Sequence, residues 1–298
     1  MSYSFQRKES VPDGARRIVR EQCEKAAAEL SGENPDINDG VHNARKSFKK
    51  IRSLLRMLRE PLGKRRYRRE NRWFRDAKNR LSSVRDAEAM IETFDALAER
   101  FPSVGEGSPI APLRDALVKR RRRIAEEVSD IEEIARAVAE GVREAAAGSA
   151  DWKLSNSGFA AIGPGLERLY AKGQKAMEKA FDQPSDERFH AWRKRVKDHW
   201  YHMRLLRKVW PKVTAARIDE LSRLSDLLGD DHDLGVLIDM LEREGSDLEG
   251  DTQTLACLAQ RRQGELRSEA RLLGARLYAR EPDCLADELR DYWRIWRS

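Results

Sequence analysis

One eight-residue pattern occurs twice in this chain, 148 residues apart, and it constrains the fold more than any other feature of the sequence. His42-Asn-Ala-Arg45-Lys46-Ser-Phe-Lys49 returns as His190-Ala-Trp-Arg193-Lys194-Arg-Val-Lys197, so both segments read H-x-x-R-K-x-x-K. The match extends to Arg56-Met-Leu-Arg59 and Arg204-Leu-Leu-Arg207, and a second pair follows downstream, Val84-Arg85-Asp86 and Asp231-His232-Asp233. Self-similarity at a fixed offset is the signature of a duplicated structural unit. Helix-like stretches precede both motifs, from Ala15 to Leu30 and from Gly165 to Phe181. A polar segment, GSADWKLSNSG from Gly148 to Gly158, reads as a linker, and FPSVGEGSPIAP from Phe101 to Pro112 reads as a loop inside the first copy. The chain is therefore expected to be two copies of one helical unit, residues 1–150 and 151–298, joined in one integrated domain.

On a helix of 100° per residue each motif separates into two stripes. With His42 at 0°, Lys49, Arg56, Arg45 and Lys46 fall within about 60° of it, by the same periodicity. Ala44, Phe48, Ile51, Leu54, Leu55 and Leu58 take the opposite side. Around His190 the second copy gathers Arg193, Lys194, Lys197, Arg204 and Lys208, with Trp192, Val196, Met203 and Leu206 opposed. Each basic stripe runs for roughly 25 Å at 1.5 Å per residue. The apolar stripes predict core-facing helices. The basic ones need another explanation, because no acid occurs between Val41 and Arg59. Like charges three and four residues apart weaken a helix by a few tenths of a kcal/mol per pair. A multiply charged anion bound along the stripe would account for that cost.

Composition agrees and excludes several classes. Charged residues make up 37% of the chain against 40% apolar ones, a mixture suited to long amphipathic helices and too apolar for disorder. Lysine and arginine total 58 against 51 acids, net +7, but residues 41–85 alone carry +14, whereas 219–251 carry −10. No apolar run reaches the roughly 20 residues of a membrane span, and no secretory signal opens the chain. Three scattered cysteines, Cys23, Cys257 and Cys284, offer neither a disulfide framework nor a zinc site, which points to the cytoplasm. No Walker loop, GxSxG, HExxH or kinase motif set appears, so a binding module is expected rather than an enzyme.

Further cations extend the surface. Arg168, Lys172, Lys175 and Lys179 line the helix before the second motif, and Arg16, Arg17 and Arg20 that before the first. The runs at 64–69 and 120–123 read equally well as solvated faces. His42 and His190 read either as phosphate donors or as core or capping histidines. Metal ligation is disfavoured because neither motif supplies a second ligand at i+3 or i+4. Asp230 to Asp233 read better as the start of a new helix after Gly229 than as a cation site. Trp192 and Trp210 are expected in the core, and His199 and His202 are expected to be packed or hydrogen-bonded.

With VHNARKSFKKIRSLLRMLRE, FHAWRKRVKDHWYHMRLLRKVW, VRDAEAM and LLGDDHDLGVL together, the sequence resembles the CHAD domain, the conserved histidine α-helical domain, from about Ala15 onward. The resemblance implies an all-α fold, two antiparallel four-helix bundles related by an internal pseudo-two-fold repeat, with a basic groove between them. It also implies binding of inorganic polyphosphate, sometimes at polyphosphate granules, and the family's histidines invite a metal; the ligand spacing here argues against one, and no cofactor or metal is expected. Such domains often accompany a triphosphate-processing CYTH domain, but no β-rich segment is left to form one, and a stand-alone copy is expected. The binding set read from the stripes is Arg20, His42, Arg45, Lys46, Lys49, Arg52, Arg56, Arg168, Lys172, Lys175, His190, Arg193, Lys194, Lys197, Arg204 and Lys208. Two alternatives stand beside it. A nucleic-acid-binding helical protein is suggested by Tyr67, Trp73 and Phe74 among the cations of 64–75; a polyphosphate or triphosphate hydrolase, or its regulatory module, is the other.

Overall fold

The computed structural model describes residues 3–32, 36–81, 83–101, 107–127, 130–245 and 248–298, with side chains left aside at 83–86 and 125–127. The downstream signature residues Arg85 and Asp86 thus lie outside the described side chains. Among the described residues the chain is all-helical: α1 (Val11–Leu30), α2 (Ile37–Met57), α3 (Arg59–Leu62), α4 (Lys64–Arg80), α5 (Ser83–Arg100), α6 (Ala111–Glu127), α7 (Ile131–Ser149), α8 (Gly163–Asp182), α9 (Asp186–Leu205), α10 (Pro211–Glu244), α11 (Thr252–Leu277) and α12 (Pro282–Arg297).

The helix starts follow local chemistry. Ser10, Asp36 and Ser185 cap α1, α2 and α9, each side chain accepting from a backbone N–H of its first turn. Both motif helices bury the stripe the periodicity predicts: Ala44, Phe48, Ile51, Leu54, Leu55 and Leu58 in α2 and at its end, and Trp192, Val196, Met203 and Leu206 in and just after α9.

Two apolar cores result. One draws on both halves, with Ile18, Phe48, Leu54 and Phe74 joining Tyr170, Trp192 and Leu224. The other packs α5 and α6 onto α10 and α11, through Phe94, Leu97 and Leu113 against Leu237, Leu255 and Leu266. Helix α2 packs on α1, α4, α8 and α9, and α9 packs on α8 and α10. The two motif helices therefore lie directly against each other.

Two expectations need correction. Gly229 ends no helix: α10 runs unbroken from Pro211 to Glu244. The Arg193 guanidinium of α9 lies close over it: a Cβ there would sit 3.3 Å from a terminal nitrogen, which would have to give by a few tenths of an ångström. Asp231 is no cap either. It is buried and accepts from Arg267 Nε at 2.5 Å. Trp210 is not in the core. The turn after α9 carries it off the stripe to the start of α10, 46% exposed, with its ring edge-to-face on Tyr292 at 4.7 Å.

Candidate functional site

Polar contacts fix the register of α2 on α9. Arg56 donates through Nε to Asp198 Oδ1 at 2.8 Å, and Arg195 lies 3.1 Å from the other carboxylate oxygen. Ser53 Oγ donates to the Asp198 carbonyl at 3.4 Å, and a ring nitrogen of His202 lies 3.2 Å from the Ser53 carbonyl. At one end Tyr3 donates to the Lys50 carbonyl at 3.0 Å, and the Phe5 amide to the Leu205 carbonyl at 2.9 Å, so the N-terminal segment straps both helices.

With that register, cations from the two motifs come together. Burial and the charges of Lys197, Arg45, Arg193 and Lys78 hold the Lys49 ammonium down to about 7. Lys197 is held at about 8 by burial and by Arg193, against the opposing pull of Asp226 and Asp233, with Lys46 adding to the depression. His190 is kept neutral down to about 3 by burial, then by His232, Lys194, Arg193 and Lys78. Its ring stacks on that of His232 at 4.1 Å and its Nδ1 is buried without a hydrogen bond. Arg193 Nε is likewise buried and unbonded. Lys46, Lys49, Arg193, Lys194 and Lys197 form no ion pair among the described residues. Arg45 donates to the Leu81 carbonyl at 3.3 Å, and His42 lies half-buried a turn before it on α2. Burial of like charges that make no direct ion pair is costly; Asp226 and Asp233 offset it only in part at Lys197, and an incoming anion would relieve the rest.

The other candidates are placed differently. Arg52 donates to Asn71 Oδ1 at 3.2 Å, and burial with Arg56 nearby lowers it to about 10. Arg56 belongs to Asp198. Arg168 bonds the Arg56 carbonyl at 2.8 Å and Glu60 at 3.1 Å. Lys172 is lowered by burial and then by the charges of Arg168, Arg195 and Arg59, against the pull of Glu60. Arg204 sits over the Trp200 ring at 4.7 Å, a cation–π contact. Lys208 bonds Gln6 Oε1 at 2.5 Å; Arg20 has Glu24 at 3.7 Å; Lys175 is exposed on α8. Sequence reasoning missed Lys78 of α4, which acts on both Lys49 and His190, and Lys50, lowered to about 8 by burial, Arg204 and Lys25. The basic run containing Lys78 was visible, but only the packing of α4 on α2 aims that one residue at the motif.

Around the cluster, acids come from α10. Asp230 is raised by burial and by Asp233 and Asp226, while Arg262 and Arg193 oppose the shift. Among the described residues no group of three or more histidine, cysteine, aspartate or glutamate side chains could hold a metal ion. Likewise no described helix is long and apolar enough to cross a membrane.

The family model for the CHAD domain matches residues 17–242, three quarters of the chain and both motif helices. This protein belongs to the CHAD domain family. Two solved structures share the fold. PptA from Streptomyces chartreusis aligns with a TM-score of 0.61 at 16% identity, covering 91% of this chain and 100% of that one. The CHAD domain from the plant Ricinus communis aligns with a TM-score of 0.57, also at 16% identity, covering 98% of this chain and 94% of the other. No curated protein sequence matches this CHAD chain.

Proposed function

We propose that this CHAD domain binds inorganic polyphosphate, without catalysing its turnover, along a trough between α2 and α9. The observation that carries the reading is the cluster of Lys46, Lys49, Arg193, Lys194 and Lys197, drawn from both motifs and left without ion pairs among the described residues. Polyphosphate offers about one negative charge per phosphate and nothing else to recognise, so a receptor needs length and cations rather than stacking platforms. Arginine supplies forked donors to phosphate oxygens and lysine a compact charge. The family's association with polyphosphate supports the same ligand. His42 and His190 stand at the head of the cluster, His190 as a hydrogen-bonding group rather than a fixed charge. The same reading puts the protein in the cytoplasm, at polyphosphate granules where these occur.

The test is a titration with long-chain polyphosphate at low and high salt. If about six phosphates are neutralised, log K should fall with log salt at a slope near −4, by analogy with single-stranded nucleic acid. Joint charge reversal of Arg45, Lys49, Arg193 and Lys197 should abolish binding while helicity persists. A variant that binds like its parent would refute the site. Release of orthophosphate from polyphosphate by the pure protein with a divalent cation would refute the non-catalytic reading.

A further inference from the structure

A second cationic surface lies on the other side of α4. A cleft of about 790 Å³ opens between α4 and α7, and its rim is formed by Lys64, Arg65, Arg68, Arg72 and Arg80. Among the described residues these five form no ion pair. Of the neighbouring charges, Asp76 is held by Arg75 at 2.8 Å, and Arg69 by Glu70 at 2.6 Å. From Arg65 to Arg80 the rim extends roughly 22 Å along the helix.

This rim is separate from the α2–α9 cluster. Asn71 and Lys78 turn toward α2, where Asn71 accepts from Arg52 and Lys78 acts on Lys49. Both stand roughly 100–120° around α4 from Arg72 by helical periodicity. One helix thus serves two places with different faces.

The cleft also differs in kind, because its floor is apolar. Trp73, Ala77, Val138 and Gly141 form it. Trp73 is held by edge-to-face contacts with Phe74 at 4.8 Å and Phe48 at 6.4 Å. Gly141 is what admits the indole, since a Cβ there would come within 2.8 Å of the ring. A bare phosphate chain would leave this floor uncovered. Five of the six basic side chains lining the cleft are arginines, whose forked guanidinium suits phosphate oxygens and stacks on planar rings. Grooves for single-stranded nucleic acid combine these same two elements, cations that track the backbone and an aromatic or apolar surface for the bases. We propose that the α4–α7 cleft binds single-stranded nucleic acid, with phosphates on Arg65, Arg68 and Arg72 and bases against Trp73 and Val138. An acidic peptide would satisfy the charge but not the preference for arginine over a flat floor.

The experiment is fluorescence anisotropy of the full chain with a labelled oligothymidylate of about 20 nucleotides, long enough to cross one such groove. Joint change of Arg65, Arg68 and Arg72 to Glu, all exposed positions, should weaken oligonucleotide binding at least about tenfold at ~0.1 M salt while polyphosphate affinity holds. The milder pair Arg68→Gln and Arg72→Gln should shift affinity in the same direction, which guards against a folding artefact. Reversal of Lys49 and Lys197 should do the converse, so failure of the polyphosphate reading and failure of this one give different patterns. An abasic strand of equal length should bind about tenfold more weakly, for want of stacking. Undiminished oligonucleotide binding by the cleft variants would overturn the proposal. So would equal affinity for the abasic strand, or displacement of the oligonucleotide by polyglutamate at equal charge, which would mark an acidic protein as the partner.

Discussion

Arg56 on α2 and Asp198 on α9 form a charge-assisted hydrogen bond of 2.8 Å across the junction of the two motif helices, around a carboxylate only 1% exposed. A residue on the basic stripe therefore serves the scaffold: removing Asp198 deprives both Arg56 and Arg195 of their shared carboxylate, and removing Arg56 leaves that buried carboxylate with Arg195 alone. Asp198→Ala is expected to cost about 3–5 kcal/mol, read as a lowered denaturation midpoint. Arg56→Met should destabilise as well, and any loss of polyphosphate affinity should track the loss of fold. A variant at either position with unchanged stability would show that the pair does not hold the helices together.

Lys49 presents the opposite case, a cation kept where it harms the free protein. Burial and the like charges of Lys197, Arg45 and Arg193 oppose its protonation. Lys49→Met keeps the length of the side chain and removes the charge, so at pH 7 it should stabilise the free protein by about 1 kcal/mol or more. Polyphosphate affinity should fall at the same time. Equal or lower stability of the variant by chemical denaturation would show that the ammonium is already compensated.

The pH dependence follows from the same lysines. Lys49 and Lys197 are lowered from 10.5 to about 7 and about 8, so the folded protein disfavours their charged forms. That penalty is complete below the folded values and fades as pH rises toward the ordinary lysine value. The advantage of Lys49→Met should therefore shrink between pH 7 and pH 10. A polyanion favours the protonated forms, so its affinity should increase as pH falls through 8 to 7, with proton uptake detectable by calorimetry in buffers of different ionisation heat. His190, held neutral down to about 3, should add no step near pH 6. A flat affinity profile from pH 6.5 to 9 would dissociate these lysines from the ligand.

The sequence made the motif helices legible because their two stripes obey one period. Apart from Trp210, which the turn after α9 carries off the stripe, every apolar residue assigned to the core sides of α2 and α9 is buried. Individual cations were less legible, since a stripe gives the direction of a side chain but not its neighbour. Arg56, Arg168 and Arg204 share the spacing of Lys49 and Lys197, yet they meet Asp198, Glu60 and Trp200. Those partners are distant in sequence or, for Trp200, hidden on the same helix. Gly229 reads as a helix end from its type alone, yet α10 continues through it, because a glycine between helix-forming neighbours does not by itself stop a helix held by packing on both sides. The stacking of His190 on His232 likewise depends on α9 lying against α10, which no local pattern encodes.

Gly165 tests how closely the second half must sit against the first. A Cβ on this residue of α8 would lie 1.9 Å from the carbonyl oxygen of Met57 and 2.7 Å from its carbonyl carbon, at the end of α2. Backbone cannot rotate away as a side chain can, so Gly165→Ala must push α8 from α2 and shift the basic stripe of α2 with it. Overpacking of this kind costs about 1–3 kcal/mol where side chains yield, and more is expected against a fixed carbonyl. The melting temperature should drop sharply, and polyphosphate affinity should weaken even under conditions where the variant remains folded. Gly264→Ala is the control, because on α11 a Cβ would meet nothing within 4 Å, and a helical Gly→Ala change there should stabilise by up to about 1 kcal/mol. If Gly165→Ala matched that control in stability and binding, α8 and α2 would not be in the contact that holds the two halves in register.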